Sequence, residues 1–533
     1  MGTRSVWFRA VAAAILVASL AAIGAAQEPR TGGTLTVGIR NVDYDTLDPH
    51  VSLFRQSAYV FLNIFDRLVH LDPETGEFTA GLATSWEPND DATVWTLTLR
   101  EGVTFHDGTP FDAEAARFNF ERMVDPDTQS AQAGPLMGPY VETEIVDDFT
   151  VRVHFGEPYA IFPTAMAQPF ILMVSPTAVE AHGANFVEYL VGSGPFRFVS
   201  EIRGNEVVLE RNPDYAWGPA FLHDGPAYVE RLVFRFILED ETRLGALQTR
   251  ELDIVDEIPP ARFTIFDQDP NTQVFAAVMP GYTRNLWMNT SVPPTDEHLV
   301  RRAVNHAIDR EGISAGVLGG VYPAAYNILT PPTLFYDASV ESMYDFDPER
   351  AGALLDEAGW TEFNSAGYRV KDGQELRLFH ATFPGFVAEA PAEVVQSNLR
   401  DVGIRFDINV MTGSAMMEGM ASIDGTFNTA LIGWSSVDPG LILSRVFHST
   451  SMGVLNWPHF YSDELDTLLD TALQSTSMDE RASLYAEIQQ MVMEAATVAP
   501  IYADVSLFAA RQGVNGIRFD NAAYPIFFDI HLD

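Results

Sequence analysis

The sequence predicts an α/β protein of two or three domains, and three observations carry that reading. At 533 residues the chain exceeds what a single hydrophobic core organises. Segments with the period-2 pattern of strands alternate with segments of helical period along most of its length. Residues 82–122 show the alternation at its clearest. Trp95, Leu97 and Leu99 interleave with Thr96 and Thr98 as a half-buried strand, while Gly102 and Gly108 supply turns. Asp112 then stands where a cap is needed for a helix that places Ala116, Phe120 and Met123 on one face.

The other elements follow in order. Residues 30–40 read as a strand ending before Asp48-Pro49, residues 58–69 as a helix, and residues 71–76 as a turn. Residues 151–155 alternate as a strand, 196–199 and 206–210 pair as a hairpin, and 228–238 form a strand before a helix at 241–248. In the second half Asp296 is expected to cap a helix with Val300, Ala303, Val304, Ala307 and Ile308 on one face. Asp347-Pro348 opens another, with Ala351, Leu354, Leu355 and Ala358 inward and Gly359 as its stop. Helices at 392–401, 463–473 and 479–496 and strands at 405–410 and 429–432 complete the pattern. Gly192-Ser193-Gly194 is expected at a tight crossing between lobes, where small residues let backbones approach.

Composition narrows the class. Hydrophobic content of 47% with 20% charged residues is that of a folded globular protein rather than a disordered one. Residues 1–26 stand apart: Arg4 and Arg9 precede an apolar run from Val11 to Ile23 and then Gly24-Ala25-Ala26. This predicts a secretory signal peptide cleaved after Ala26, too short an apolar run to span a bilayer. With no cysteine anywhere, the exported protein has neither disulfides nor a site for lipid attachment, so a freely diffusing periplasmic protein is expected, not a lipoprotein. The net charge is −41 and Lys371 is the sole lysine, which argues against nucleic acid and anionic membranes as partners. Solubility in a salty environment accounts for such acidity; attraction of cationic ligands is the alternative.

Motifs of catalysis are missing from the sequence. There is no thiol, no His-Glu-x-x-His and no phosphate-binding Gly-x-x-x-x-Gly-Lys loop, and Gly192-Ser193-Gly194 lacks nucleophile-elbow spacing. Asp43, Asp45 and Asp48 crowd one loop without the glycine and glutamate of a calcium loop. His106 reads as a structural turn residue, and Met411, Met416, Met417 and Met420 as adaptable packing rather than copper ligands. No catalytic residue, metal ligand or cofactor is expected.

Several blocks resemble the family 5 extracellular solute-binding proteins, the oligopeptide, dipeptide and nickel receptors of ABC importers. They are residues 82–122, Gly192-Ser193-Gly194-Pro195-Phe196, residues 247–254, and Leu286-Trp287-Met288-Asn289 with the helix beyond Pro293-Pro294. The resemblance implies a two-lobed periplasmic binding protein of type II, in the large class with an extra inserted domain. It assigns residues 27–66, 190–278 and 500–533 to lobe I, 67–189 to the insert, and 279–499 to lobe II, with a boundary near Pro280-Gly281. It implies capture of a peptide-like or other small solute and delivery to an inner-membrane ABC permease with its ATPases, by a monomer. A periplasmic sensor or chaperone of the same fold, or a secreted hydrolase, are the alternative functions.

The resemblance places the ligand-facing loop at residues 433–440, which follow the apolar strand 429–432 where a chain leaves a sheet. Trp434, Ser435, Ser436 and Asp438 are the expected contacts. Peptide-binding relatives carry an aspartate where Val437 stands, so Asp438 is open to two readings, ligand contact or Asp-Pro turn. Dipeptide receptors carry an arginine before a helix like 392–401, whereas this chain has Phe383 and Phe386 there and no cation. Those two phenylalanines and Trp434 are candidates for stacking on a flat, apolar or sugar-like ligand, with core packing the alternative for the pair. Ser52, Leu53 and Phe54 resemble the lobe I edge that contacts ligand backbone. Asn285, Trp287 and Asn289 lie near the crossing between lobes. Both charge anchors of a free dipeptide are therefore absent from the expected site.

Overall fold

A computed structural model describes residues 29–40, 46–130, 132–383, 386–422, 425 and 427–533, with the side chains of 386–388 excepted. The expected signal peptide and cleavage point, along with Asp43 and Asp45, lie outside the described residues. Three sheets organise the rest. The first has seven strands in the order Thr272–Val278, Val505–Arg511, Ile254–Asp256, Thr34–Ile39, Arg231–Phe236, Glu206–Arg211, Phe196–Ile202. Thr34–Ile39 runs parallel to Arg231–Phe236 in the register Thr34 to Arg231, and the hairpin of the last two strands is antiparallel. The second has five strands: Arg405–Val410, Arg377–Thr382, Thr429–Ile432, Arg284–Met288 and Val498–Tyr502. The third, within the expected insert, has four antiparallel strands, Ala83–Pro88, Val94–Leu99, Thr150–Phe155 and Tyr140–Asp147.

Local chemistry explains most of the elements. Trp95, Leu97 and Leu99 are buried while Thr98 faces outward. The Asp112 carboxylate accepts from the Ala115 N–H at 3.0 Å, starting the helix Ala113–Val124 whose Ala116, Phe120 and Met123 point inward. Asp347 caps Pro348–Glu357 in the same way, and Gly359, at φ +88°, closes that helix.

Other expectations require correction. The helix placed at 58–69 is Arg55–Phe61, because the Asn63 side chain donates to the Tyr59 and Val60 carbonyls and ends it. The helix placed at 392–401 begins at Phe386 and carries Pro391 inside it. Asp296 is not the cap of His298–Ala307; Glu297 holds that position, and its carboxylate turns to Lys371 at 2.9 Å instead. Gly192 and Gly194 do allow a close backbone approach, to the backbone of Asn63 and Ile64. His106 bonds the Gly194 carbonyl at 3.0 Å, and burial lowers its pKa to about 4, so it is neutral at pH 7.

The chain crosses between the first two sheets twice, at residues 279–283 and 503–504. The strand Val498–Tyr502 belongs to the second sheet, so a boundary at 500 falls inside it. The Arg284 Nε donates to both Asp504 oxygens, at 3.0 and 2.8 Å, tying the two crossings together. One apolar core joins the seven-stranded sheet to the insert, running from Leu35 and Val37 to Trp95 and Phe120. A small separate cluster bridges the insert and lobe II, with Leu71 and Ala167 against Val437.

Candidate functional site

Residues 433–440 leave the buried strand Thr429–Ile432 and run along the first crossing. The Tyr282 N–H donates to the Trp434 carbonyl at 2.8 Å and the Ser436 N–H to the Pro280 carbonyl at 3.0 Å, so the loop pairs with the crossing like an added strand. Gly281 between them has φ +116°, and a side chain there would strike the Trp434 carbonyl and approach the Ser436 nitrogen at 2.5 Å. The Thr333 hydroxyl receives the Gly281 N–H on the other side, at 2.8 Å. Any displacement of this loop therefore strains the crossing itself.

A cavity of about 70 Å³ opens over the loop. The loop contributes Trp434, Ser435 and Ser436, and the helix Gly440–Phe447 contributes Leu441 and Arg445. Gln132, Leu136, Gln168 and Phe170 add to the lining, with Ala522 and Tyr524 from the C-terminal segment. Walls from both sides of a crossing are the arrangement that couples occupancy to closure. A second cavity, of about 80 Å³, is lined by residues such as Asp66, His70 and Tyr215 and shares only Tyr524 with the first.

The Trp434 indole stacks on Trp457, with centroids 6.0 Å apart and planes 29° apart, so its orientation is fixed. Arg445 lies over it, its Cζ 5.8 Å from the ring centroid. Among the described residues Arg445 meets no carboxylate within ion-pair distance, and burial lowers its pKa from the ordinary arginine value without removing its charge. Among the described residues no acidic residue lines the cavity.

Asp438 has a different environment. It is fully buried; one Arg481 Nη donates to both its oxygens at 2.8 Å, and its carboxylate also takes the Gly440 N–H at 2.8 Å and the Thr164 hydroxyl at 3.3 Å. These bonds belong to the turn reading, and Asp438 does not line the cavity. Ser436 is buried and its hydroxyl donates to the Asp438 carbonyl, whereas Ser435 is exposed. Phe383 packs against the same lobe II core as Trp434 and is not part of the lining; the Phe386 side chain lies outside the described residues. Ser52 is buried below the surface, and Leu53 and Phe54 are exposed but do not line the cavity. Their neighbour Arg55 reaches the cavity wall instead, donating to the Ala522 carbonyl at 3.0 Å with its Cζ 3.9 Å from the Tyr524 centroid. Trp287 and Asn285 are buried, the Trp287 N–H bonding the Ile432 carbonyl at 3.0 Å. Met416 and Met420 are core residues, with Met411 and Met417 packed beside them. The sequence reading missed Arg445, Phe170, Gln168 and Tyr524. Only Arg445 had a local signal, as the one charge in an otherwise apolar helix, four residues after Leu441 and on its face.

Comparison with known proteins adds three findings. The family model described as bacterial extracellular solute-binding proteins, family 5 middle, matches residues 77–453. The glutathione-binding protein GsiB of Escherichia coli strain K12 is 27% identical over 489 residues, covering 89% of this chain and 90% of that one. Among solved structures, NikA from Brucella suis in complex with Fe(III)-EDTA superposes with a TM-score of 0.84 at 26% identity, covering 94% of this chain and 100% of that one. DppA from Helicobacter pylori in complex with the peptide STSA does so with a TM-score of 0.76 at 25% identity, covering 94% and 98%.

Proposed function

The chain belongs to the bacterial extracellular solute-binding proteins of family 5, and from that premise we propose that the cavity over residues 433–440 is where it takes its solute, for delivery to an inner-membrane ABC permease. It is a two-lobed solute-binding protein of α/β architecture. The observation that carries the proposal is the hydrogen bonding of the Trp434–Ser436 backbone to the Pro280–Tyr282 crossing beneath a cavity walled by both lobes. A ligand held there touches the insert, the C-terminal segment and lobe II together, so it favours the closed arrangement over the open one. In this reading Trp434 is the flat floor of the site, Phe170 and Tyr524 are its far wall, and Ser435 and the two glutamines are its polar contacts. Asp438 supports the loop from behind.

The leader at residues 1–26 and the lack of cysteine support a soluble periplasmic receptor freed by cleavage. The absence of nucleophile and metal motifs from the sequence supports binding without turnover. Relatives bind glutathione, a peptide and an iron chelate by their names, which keeps the solute within small, polar, often acidic molecules.

Native mass spectrometry of protein purified without denaturation identifies a bound solute, and titration with that solute tests the site. Trp434→Ala lowers affinity at least tenfold, about 1.4 kcal/mol, while leaving the circular dichroism spectrum unchanged. Unchanged affinity removes Trp434, and this cavity with it, from the proposal. Conversion of the solute to a product by the purified protein refutes a receptor role.

A further inference from the structure

We infer that Arg445 is the specificity-determining residue of the cleft and that the solute is a small organic anion whose acid group meets its guanidinium. The inference rests on the cavity being the solute site.

The local charge arrangement supports it. Arg445 is carried on the helix Gly440–Phe447, where Leu443, Val446 and Phe447 hold the opposite side in the core. Its guanidinium is set over the Trp434 ring, and the indole is in turn held by Trp457. The charge is thus positioned by two aromatic groups, with no acid to neutralise it among the described residues. In this chain 73 acidic residues outnumber 32 basic ones. Arg445 is a cation in a concave, partly desolvated site with no carboxylate beside it among the described residues. Arg481, on the helix Met478–Glu494, shows the contrast, matched by Asp438 of the loop at 2.8 Å on both oxygens.

A half-buried cation without an acid partner gains most from an anion that brings its own charge into the cavity. A planar guanidinium presents parallel donors that fit a carboxylate or phosphate edge, and ring contact leaves those donors free. The rest of the lining is neutral: Gln132, Gln168 and Ser435 offer hydrogen bonds, and Phe170, Leu136 and Leu441 offer apolar surface. That set fits a small acid with an amide-bearing or apolar body. A net-cationic solute meets only repulsion here.

The experiment incubates purified protein with a bacterial small-molecule extract, removes unbound solutes by gel filtration, and identifies what is retained by mass spectrometry in both polarities. Wild type, Trp434→Ala, Arg445→Gln and Arg445→Lys are compared, with thermal unfolding as the folding control. The wild type is expected to retain one or a few acidic solutes, Arg445→Gln to retain at least tenfold less of them, and Arg445→Lys to recover part of the loss. Retention of neutral or cationic solutes, or equal retention by folded Arg445→Gln, overturns the inference. A solute lost by Trp434→Ala but kept by Arg445→Gln leaves the site standing and refutes the anion alone. If the wild type retains nothing, the receptor reading falls and this inference with it.

Discussion

Arg481 and Arg445 both reach the loop at residues 433–440, one at Asp438 and the other at Trp434. Arg481 is almost wholly buried, pairs with both oxygens of Asp438, and sits 4.9 Å from the Phe335 ring, so all its interactions are internal. Arg445 is half-buried, meets an aromatic face rather than an acid, and lines a cavity shared by both lobes. The same residue type thus serves stability at one end of the loop and is left for recognition at the other. A buried charge that is matched locally has no preference for solute, whereas one left unmatched creates a demand that a ligand can meet.

The largest expected effect is on the matched side. Arg481→Leu leaves Asp438 charged and buried with only the Gly440 N–H and the Thr164 hydroxyl, and should cost about 3–5 kcal/mol. The double variant Asp438→Leu with Arg481→Leu removes both charges and should cost less than the single one, read from the urea midpoint of the unfolding transition. Arg445→Gln in the same assay should shift stability by about 1 kcal/mol or less, because no partner is stranded. Equal losses at Arg481 and Arg445 would erase the distinction between them.

A smaller effect is expected beneath the loop. Gly281→Ala forces a side chain at φ +116° into the Trp434 carbonyl and toward the Ser436 nitrogen, whereas Gly373→Ala, at φ +78°, enters open space. Backbone strain alone costs about 1–3 kcal/mol, so Gly373→Ala calibrates that part. Gly281→Ala should lower the melting temperature further than this control. A matching loss at the two sites would show that the loop is free to move away from the crossing, and neither arginine would then be held where the comparison requires.

How much of this was legible in the sequence follows from how far apart the partners lie. The strand at Trp95–Leu99, the Asp112 and Asp347 caps and the Gly359 stop depend on neighbours within a few residues, and local periodicity reveals them. The helix at Arg55–Phe61 was overestimated because Asn63 ends it through side-chain bonds that a hydrophobic pattern does not register. Trp434 could be placed in a cleft because an apolar strand runs directly into it. Asp438 stayed ambiguous because its partner is 43 residues downstream, and nothing in the Asp-Pro turn announces Arg481. Phe170 and Tyr524 come from the insert and the C-terminal segment and meet the loop only through the fold. Leu53 and Phe54 were sought one step short of Arg55, the residue that reaches the cavity wall.

The smallest expected effect is no effect, and it probes the comparison from the ligand side. A free dipeptide such as Ala-Ala brings one carboxylate, which Arg445 can receive, and one ammonium, which needs an acid. The only carboxylate of the loop is Asp438, and its oxygens are held by Arg481. Among the described residues no acid lines the cavity, and Val437 is buried in a cluster with Leu71 and Ala167. Desolvating the ammonium without a partner costs several kcal/mol, comparable to everything the carboxylate gains. Isothermal titration with Ala-Ala should therefore give no measurable heat of binding at concentrations up to about 1 mM, a Kd weaker than about −4 kcal/mol of affinity. N-acetyl-Ala-Ala keeps the acid and discards the ammonium, so it should bind better than Ala-Ala in the same cell. Micromolar binding of free Ala-Ala would mean that Asp438 gives up Arg481 for a ligand, and the division of labour between the two arginines would fail at its matched end.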